Sequence, residues 1–160
     1  MQFTTVSLKV PEGCQVIIGQ SHFIKTVEDV YETLITSSPG IKFGVAFCEA
    51  SGKALVRFDG SDQKVMELAK EFAFALGAGH SFVVVLQDSF PINVLNRIKA
   101  VEEVVTIYCA TANNATVIVA EENGGRGIVG VIDGISPKGT ESDEDRVQRH
   151  EFLRKIGYKR

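Results

Sequence analysis

The chain lacks the features that mark several classes of protein. It has no tryptophan, and its three cysteines, Cys14, Cys48 and Cys109, are so widely spaced that no C-x-x-C pair exists. A structural zinc site is therefore not expected, and we predict three small buried thiols instead. No apolar run reaches the roughly 18 residues that a membrane-spanning helix requires.

Basic charge is also scarce. The chain holds 17 Lys and Arg against 20 Asp and Glu, with a net charge of -3, so a basic patch for nucleic acid is not expected. The first residues, Met1 to Thr5, show neither the basic nor the apolar region of a signal peptide. We therefore expect a cytoplasmic protein that binds neither nucleic acid nor membrane. The sequence also lacks the G-x-x-x-x-G-K-[ST] signature of P-loop proteins.

Length and hydrophobic periodicity define the expected fold. The 160 residues, 44% hydrophobic and 23% charged, predict one domain over residues 1–160 that buries roughly two-thirds of its unfolded surface. Helical and strand-like segments alternate, with some hairpins among them. This pattern predicts the α+β class, with a mixed β-sheet and helices packed on it. We predict strands at 3–10, 14–18, 43–49, 53–58, 82–86, 104–110, 115–120 and 127–132, and helices from 26 to near 37, at 62–76, at 91–100 and from 142 to 157.

Local signals predict how several of these elements begin and end. Thr26 is typical of a capping box, and Ser61 is a candidate cap for the helix at 62–76. Gly77 or Gly79 would end that helix with a positive φ. The Asn123-Gly124 pair predicts a tight hairpin turn, which requires positive φ.

Two histidines lie in glycine-flanked turns at the ends of apolar runs. His22 follows Gly19-Gln20-Ser21, and His80 follows Gly77-Ala78-Gly79. Such turns expose backbone N–H groups, and imidazole can act as a nucleophile or base near neutral pH. The two could share one site only if the strands before His22 and after His80 run antiparallel. His150, on a charged helix, is interpreted as a solvated surface residue.

The segment from Gly19 to Thr26 is the best candidate for phosphate binding. It lies between a strand and a helix N-terminus, where free N–H groups and the helix dipole favour an anion. Ser21 and Thr26 supply hydroxyl donors, although Thr26 could be used as the helix cap, and Lys25 supplies a cation. The alternative is an ordinary strand-to-helix loop.

Residues 125–130 match G-x-G-x-x-G, but the β-branched residues that follow predict a strand rather than the helix of a dinucleotide-binding motif. Arg126, beside Gly127, could clamp a phosphate at a hairpin tip, or it could be a solvated loop residue. Asn93 and Asn113 have amides suited to the edge of a purine, although such residues are commoner in turns and caps. Asp133 could be a base or metal ligand, or the first residue of an Asp-Gly turn.

Six segments together resemble the adenosine-specific kinase family, and the similarity spans nearly the whole chain. They are residues 16–26, 43–52, 79–82, 91–96, 107–113 and 125–134. The resemblance implies a compact α-β fold, binding of adenosine or AMP, a phosphorylated histidine and assembly as a homo-oligomer, a trimer or hexamer. Both His22 and His80 remain candidates for the phosphorylated residue. One departure is Asn113-Asn114, where the family has Asn-Pro.

The expected chemistry follows from this resemblance. Imidazole would take a phosphoryl group from ATP or another donor and pass it to the 5′-hydroxyl of adenosine, with Lys25, Arg126 and backbone N–H groups offsetting charge. Gly19, Gln20, Ser21, Asn93, Asn113, Gly127 and Asp133 complete the candidate binding set. No metal ligands are predicted, and the requirement for Mg²⁺ stays open. One alternative is a non-catalytic adenine-nucleotide sensor, and another is an oligomeric scaffold.

Overall fold

The computed structural model describes all residues from 1 to 160 and contains eight strands and four helices. The strands are β1 (Gln2–Leu8), β2 (Cys14–Ser21), β3 (Lys42–Cys48), β4 (Val56–Gly60), β5 (Ser81–Gln87), β6 (Val104–Thr111), β7 (Ala115–Glu122) and β8 (Gly125–Asp133). The helices are α1 (Thr26–Ile35), α2 (Gln63–Leu76), α3 (Pro91–Lys99) and α4 (Asp143–Lys155). None of these helices combines the length and the apolar character needed to cross a membrane.

The strands form two sheets within one α+β domain, which confirms the predicted fold class. The larger sheet has the order β4-β3-β5-β2-β6 and the smaller has the order β1-β7-β8. Every pairing is antiparallel, whereas we expected one mixed sheet. The difference arises because β5 lies between β2 and β3 and is antiparallel to both. Periodicity identifies such strands but does not reveal which strand will insert between them.

The larger sheet is covered on both faces, and its central strand β5 is accordingly buried along nearly its whole length. One face carries Ile17, Phe43 and Phe82, which pack with α1 and α3. The opposite face carries Val16 and Val83, which pack with α2 and with the inner face of the smaller sheet. The domain therefore has two apolar cores separated by the larger sheet.

The ends of α2 show which local signals were correct. Gly77, one of the two glycines predicted for this position, ends the helix with φ 55°. The N-cap is Asp62, whose side chain accepts from the N–H groups of Lys64 and Val65, so the prediction of Ser61 was wrong by one residue. The Ser61 hydroxyl instead accepts the Phe43 N–H and donates to a backbone carbonyl.

Of three other local predictions, the structure confirms two and shows one to be wrong. Asn123 and Gly124 have φ of 51° and 78°, which confirms the tight hairpin turn between β7 and β8. Residues 125–130 belong to β8 and open no helix, as their β-branched continuation predicted. The capping box at Thr26 is absent, because Thr26 is the first helical residue and the N-cap, Lys25, makes no side-chain cap.

Candidate functional site

The two histidine turns lie at the same edge of the larger sheet. β2 and β5 run antiparallel, with Gln20 opposite Ser81, so the end of one strand meets the start of the other. The Ser21 N–H donates to the His80 carbonyl oxygen at 2.9 Å. The sequence left open whether these strands were antiparallel, and the structure answers that they are.

His80 is held in an unusual backbone conformation. Its φ is 63°, a region that non-glycine residues seldom adopt and that costs conformational energy. Its N–H donates to the Cys48 carbonyl at 2.8 Å, and its ring stacks on Phe47 with centroids 5.9 Å apart. No hydrogen bond within the chain engages its ring nitrogens. The backbone is fixed while the ring nitrogens stay available to a ligand.

A cleft of about 520 Å³ lies next to His80. Its walls are residues 48–50, residues 54–56, the two glycines Gly77 and Gly79, and residues 124–126, and Phe74 projects beside it. The volume falls in the range typical of small-molecule sites, roughly 300–1,000 Å³. Half of the lining residues are hydrophobic, which suits a ligand with an aromatic base and a polar tail.

The charged groups of the cleft are held by contacts within the chain. Glu49 accepts the Leu55 N–H at 2.8 Å and pairs with Arg57 at 2.9 Å. These contacts lower the pKa of Glu49, the Leu55 hydrogen bond first. Arg126 donates to the carbonyls at the end of α2, at 3.3 Å each, and pairs with Glu121 at 2.7 Å. Its guanidinium caps the helix and faces the cleft at the same time.

Lys25 is surrounded by carboxylates. Its ammonium lies 2.6 Å from Asp29, 3.4 Å from Glu103 and 3.7 Å from Glu102. The hydrogen bond to Asp29, followed by the charge of Glu103, raises the pKa of Lys25. Glu103 is fully buried, and neither of its carboxylate oxygens has a hydrogen-bond partner. Because its carbonyl also accepts the His22 N–H, this pair ties the His22 turn to β6.

We expect Lys25→Met to lower the free energy of unfolding, because it leaves the buried Glu103 carboxylate without a counter-charge. The double variant Lys25→Met/Glu103→Gln should recover part of that loss, since the uncompensated charge is then gone. Urea denaturation of the wild type, the two single variants Lys25→Met and Glu103→Gln, and the double variant measures the coupling. A double variant that is no more stable than Lys25→Met would show that Lys25 does not neutralise Glu103.

The rest of the predicted phosphate loop serves internal packing and hydrogen bonding. Ser21 is buried, and its hydroxyl accepts from Thr26 at 2.7 Å. Gln20 accepts from the Tyr108 hydroxyl at 3.2 Å. A Cβ on Gly19 would lie 2.4 Å from the Phe82 ring, so that glycine is required for close packing.

The remaining predicted binding residues lie elsewhere. Asn113 donates to Asp133 at 3.0 Å and follows Thr111, which pairs with Val16 at the far end of β2. Asn93 accepts the Phe90 N–H near the start of α3, which follows the far end of β5. Gly127 is exposed in β8, with open space around it. Within one chain, the structure does not bring the two asparagines and Asp133 to the histidines.

Sequence reasoning missed two groups near the histidines, Glu49 and Glu103. Glu49 directly follows the buried strand β3, a position at which a charged residue can indicate a functional site. Glu103 stands in a Glu-Glu pair typical of a solvated turn, yet the fold buries it beside Lys25. No group of three or more His, Cys, Asp or Glu side chains is arranged to hold a metal ion.

All three cysteines are buried free thiols, as predicted. Burial, followed by the charge of Asp133, raises the pKa of Cys109 from 9.0 to about 11. The unfolded thiol therefore ionises first, and the folded protein loses relative stability as the pH rises from 9 to 11.

We expect the free energy of unfolding to fall across this alkaline range, and to fall less in Cys109→Ala, because the variant removes one thiol whose ionisation favours the unfolded state. Urea denaturation at pH 8, 9, 10 and 11 measures the difference. Equal slopes for the two proteins would contradict the assigned pKa shift of Cys109.

The chain is similar to known proteins over nearly its whole length. Residues 6–159 match the family model described as adenosine specific kinase. The crystal structure of the PH1918 protein from Pyrococcus horikoshii OT3 superposes with a TM-score of 0.95 and 44% sequence identity, covering 99% of this chain and 98% of that one. No curated protein matches. The family match supports an adenosine-related kinase function, with adenosine as substrate and a phosphoryl donor. The chain belongs to the adenosine-specific kinase family.

Proposed function

We propose that the chain binds adenosine or AMP in the cleft beside His80 and transfers a phosphoryl group through this histidine. The observation that carries the proposal is the position of His80. Its backbone is held in a strained conformation directly after Gly79, which lines a cleft of suitable volume, and its ring makes no hydrogen bond within the chain. Strained residues of this kind concentrate at functional sites.

The reaction has two steps in this proposal. A ring nitrogen of neutral His80 attacks the terminal phosphorus of ATP or a related donor, so that an N–P bond forms and the P–O bond to the leaving nucleotide breaks. The adenosine 5′-oxygen then attacks the same phosphorus, the N–P bond breaks, and the hydroxyl proton passes to water. The products are AMP and the original imidazole.

The cleft offers a place for each part of the nucleoside. The exposed ring of Phe74 can stack on the purine, since base–aromatic stacking is favourable for any base. Arg126 supplies positive charge and the backbone N–H of Gly124 supplies a donor for the phosphoryl oxygens. Lys25 enters the proposal as the anchor of the His22 turn, because carboxylates already surround its ammonium.

The proposal also includes a second histidine, an oligomeric assembly and the binding residues at the far end of the sheet. His22 lies in the neighbouring turn and is the second candidate phosphate acceptor. The protein is proposed to be a cytoplasmic homo-oligomer, a trimer or hexamer, as the family resemblance implies. Asn93, Asn113 and Asp133 can contact the nucleoside only if it reaches the far end of the sheet or if another copy supplies them.

Turnover tests the proposal. The purified chain is mixed with adenosine, Mg²⁺ and ATP labelled on its terminal phosphate, and labelled AMP is separated by chromatography. We expect AMP to accumulate beyond one equivalent per subunit, and guanosine to give no product. Tight adenosine binding without AMP would overturn catalysis and favour the nucleotide sensor. Calorimetry that shows no heat with adenosine would favour the scaffold.

A further inference from the structure

The last segment of the chain makes few contacts with the rest of its own domain. Residues 135–160, here called the C-terminal arm, follow β8 and include α4. Every arm residue is exposed except the half-buried Leu153. Ile135, Phe152 and Tyr158 are 79%, 57% and 49% exposed. Large apolar side chains in this number are seldom left in water along one segment.

The arm is held only by local contacts. The Ser142 capping box begins α4, and the ion pairs of its residues, such as Arg149 with Glu141 at 2.8 Å, stay within the arm. A helix of 13 residues is marginal in water by itself. A covering surface would therefore stabilise the arm, and its apolar residues concentrate near its end, at Phe152, Leu153, Ile156 and Tyr158.

A second unpartnered surface lies on the smaller sheet. Its inner face packs on the core through residues such as Val117 and Val119. The alternate positions form its outer face, where strand pairing places Phe3 beside Ala120 and Ile132 beside Thr116. Glu122, at one end, is the only charged residue on this face. Antiparallel sheets that face water are usually polar on that side. This face carries Thr5, Ser7 and Thr116, but it also leaves Phe3 and Ile132 62% and 54% exposed, which is a feature of contact surfaces.

Charge favours a contact between the arm and another copy of the chain. Residues 1–133 contain 15 acidic and 10 basic side chains, whereas residues 146–160 contain six basic and one acidic. The basic end of one arm is therefore attracted to the acidic body of a second copy. The extended arm is also a shared feature, because the superposition on the Pyrococcus crystal structure covers 99% of this chain.

We propose that the arm of one copy packs its apolar end on the outer face of the smaller sheet of a second copy. This inference names the surfaces that build the homo-oligomer proposed above, and it does not rest on the phosphohistidine chemistry. The mass of the assembly tests the interface, while AMP formation tests the activity, so that failure of one is distinguishable from failure of the other.

Three variants of the full chain test the contact by light scattering after gel filtration. Phe152→Asp places a charge on the arm, and Ile132→Asp places one on the outer face. Ile92→Asp is the control, because Ile92 is 69% exposed on α3, outside both surfaces. We expect the wild type and the control to show a multiple of 17.4 kDa, and each interface variant to show 17.4 kDa. Circular dichroism verifies that all are folded.

Mixing the two interface variants provides the sharpest readout. The Phe152→Asp chain keeps an intact outer face and the Ile132→Asp chain keeps an intact arm, so one intact contact forms in the mixture and none in either protein alone. We expect a species of about twice the chain mass in the mixture only. A monomeric wild type, variants that keep the wild-type mass, or a mixture that stays monomeric would each overturn the proposal.

Discussion

Replacing His80 by Asn is expected to reduce protein-bound phosphate to background when the chain is incubated with labelled ATP. The variant removes the proposed nucleophilic nitrogen, so no N–P bond can form. Asn tolerates the left-handed conformation observed at this position, where φ is 63°, better than most residues. The fold should therefore survive, and AMP formation should be lost together with the label. The measurement is acid-labile phosphate on the protein, followed by the assay for AMP.

Variants of the other two histidines are the controls for this experiment. His150→Gln changes an exposed histidine on α4, far from any proposed chemistry, and should label like the wild type. His22→Gln changes the neighbouring turn and should retain labelling if His80 is the acceptor. Full labelling of the His80 variant with loss in the His22 variant would transfer the role to His22. Full labelling in both would refute the phosphohistidine mechanism.

The elements of the fold were predictable because each depends on residues close together in the sequence. The helix end at Gly77 and the Asn123-Gly124 turn require positive φ, which few residues adopt, so the turn was predicted and the helix end was narrowed to Gly77 or Gly79. The cap of α2 was less clear, because Ser61 and Asp62 are both suitable. The choice was made by the Ser61 hydroxyl, which is used by the Phe43 N–H on a distant strand.

The pairing of strands was not predictable from these local signals. The insertion of β5 between β2 and β3 depends on pairs of residues that lie from 35 (Phe47 and Phe82) to 73 (Cys14 and Gln87) positions apart in the sequence. The same insertion brings Ser21 beside His80 and creates the shared edge. The sequence could state the condition for a common site, an antiparallel arrangement, but it could not show that the condition was met.

Residue type alone also did not predict which charged side chains would already have partners of opposite charge within the chain. Lys25 and Arg126 were selected because cations suit phosphate, yet the fold gives each of them carboxylate partners. Glu103, one of two adjacent glutamates that the sequence does not distinguish, is buried beside Lys25. The electrostatics of a site therefore depend on which acidic side chains the topology brings together, and that is a tertiary property.

Gly44→Ala is expected to be the most destabilising single-methyl change in the chain. Gly44 lies in β3 directly beneath the first turn of α2. A Cβ at this position would stand 2.4 Å from the Met66 Cα and 2.5 Å from the Val65 carbonyl oxygen. Both are backbone atoms, so no side-chain rotation can relieve the overlap. Its neighbour across the pair, Gly60, is similarly crowded by β3, at 2.5 Å from a carbonyl oxygen.

The helix must therefore move away from the sheet, which opens the core that α2 shares with β3 and β5. Overpacking of this kind costs about 3 kcal/mol, the upper part of its usual range, and that corresponds to a fall of roughly 6–12 °C in Tm for a chain of this size. Urea denaturation and thermal melting, at one fixed protein concentration, measure the loss. Gly139→Ala is the matched control, because a Cβ there meets nothing within 4 Å. A Gly44→Ala protein as stable as this control would show that α2 does not pack on β3 as closely as described.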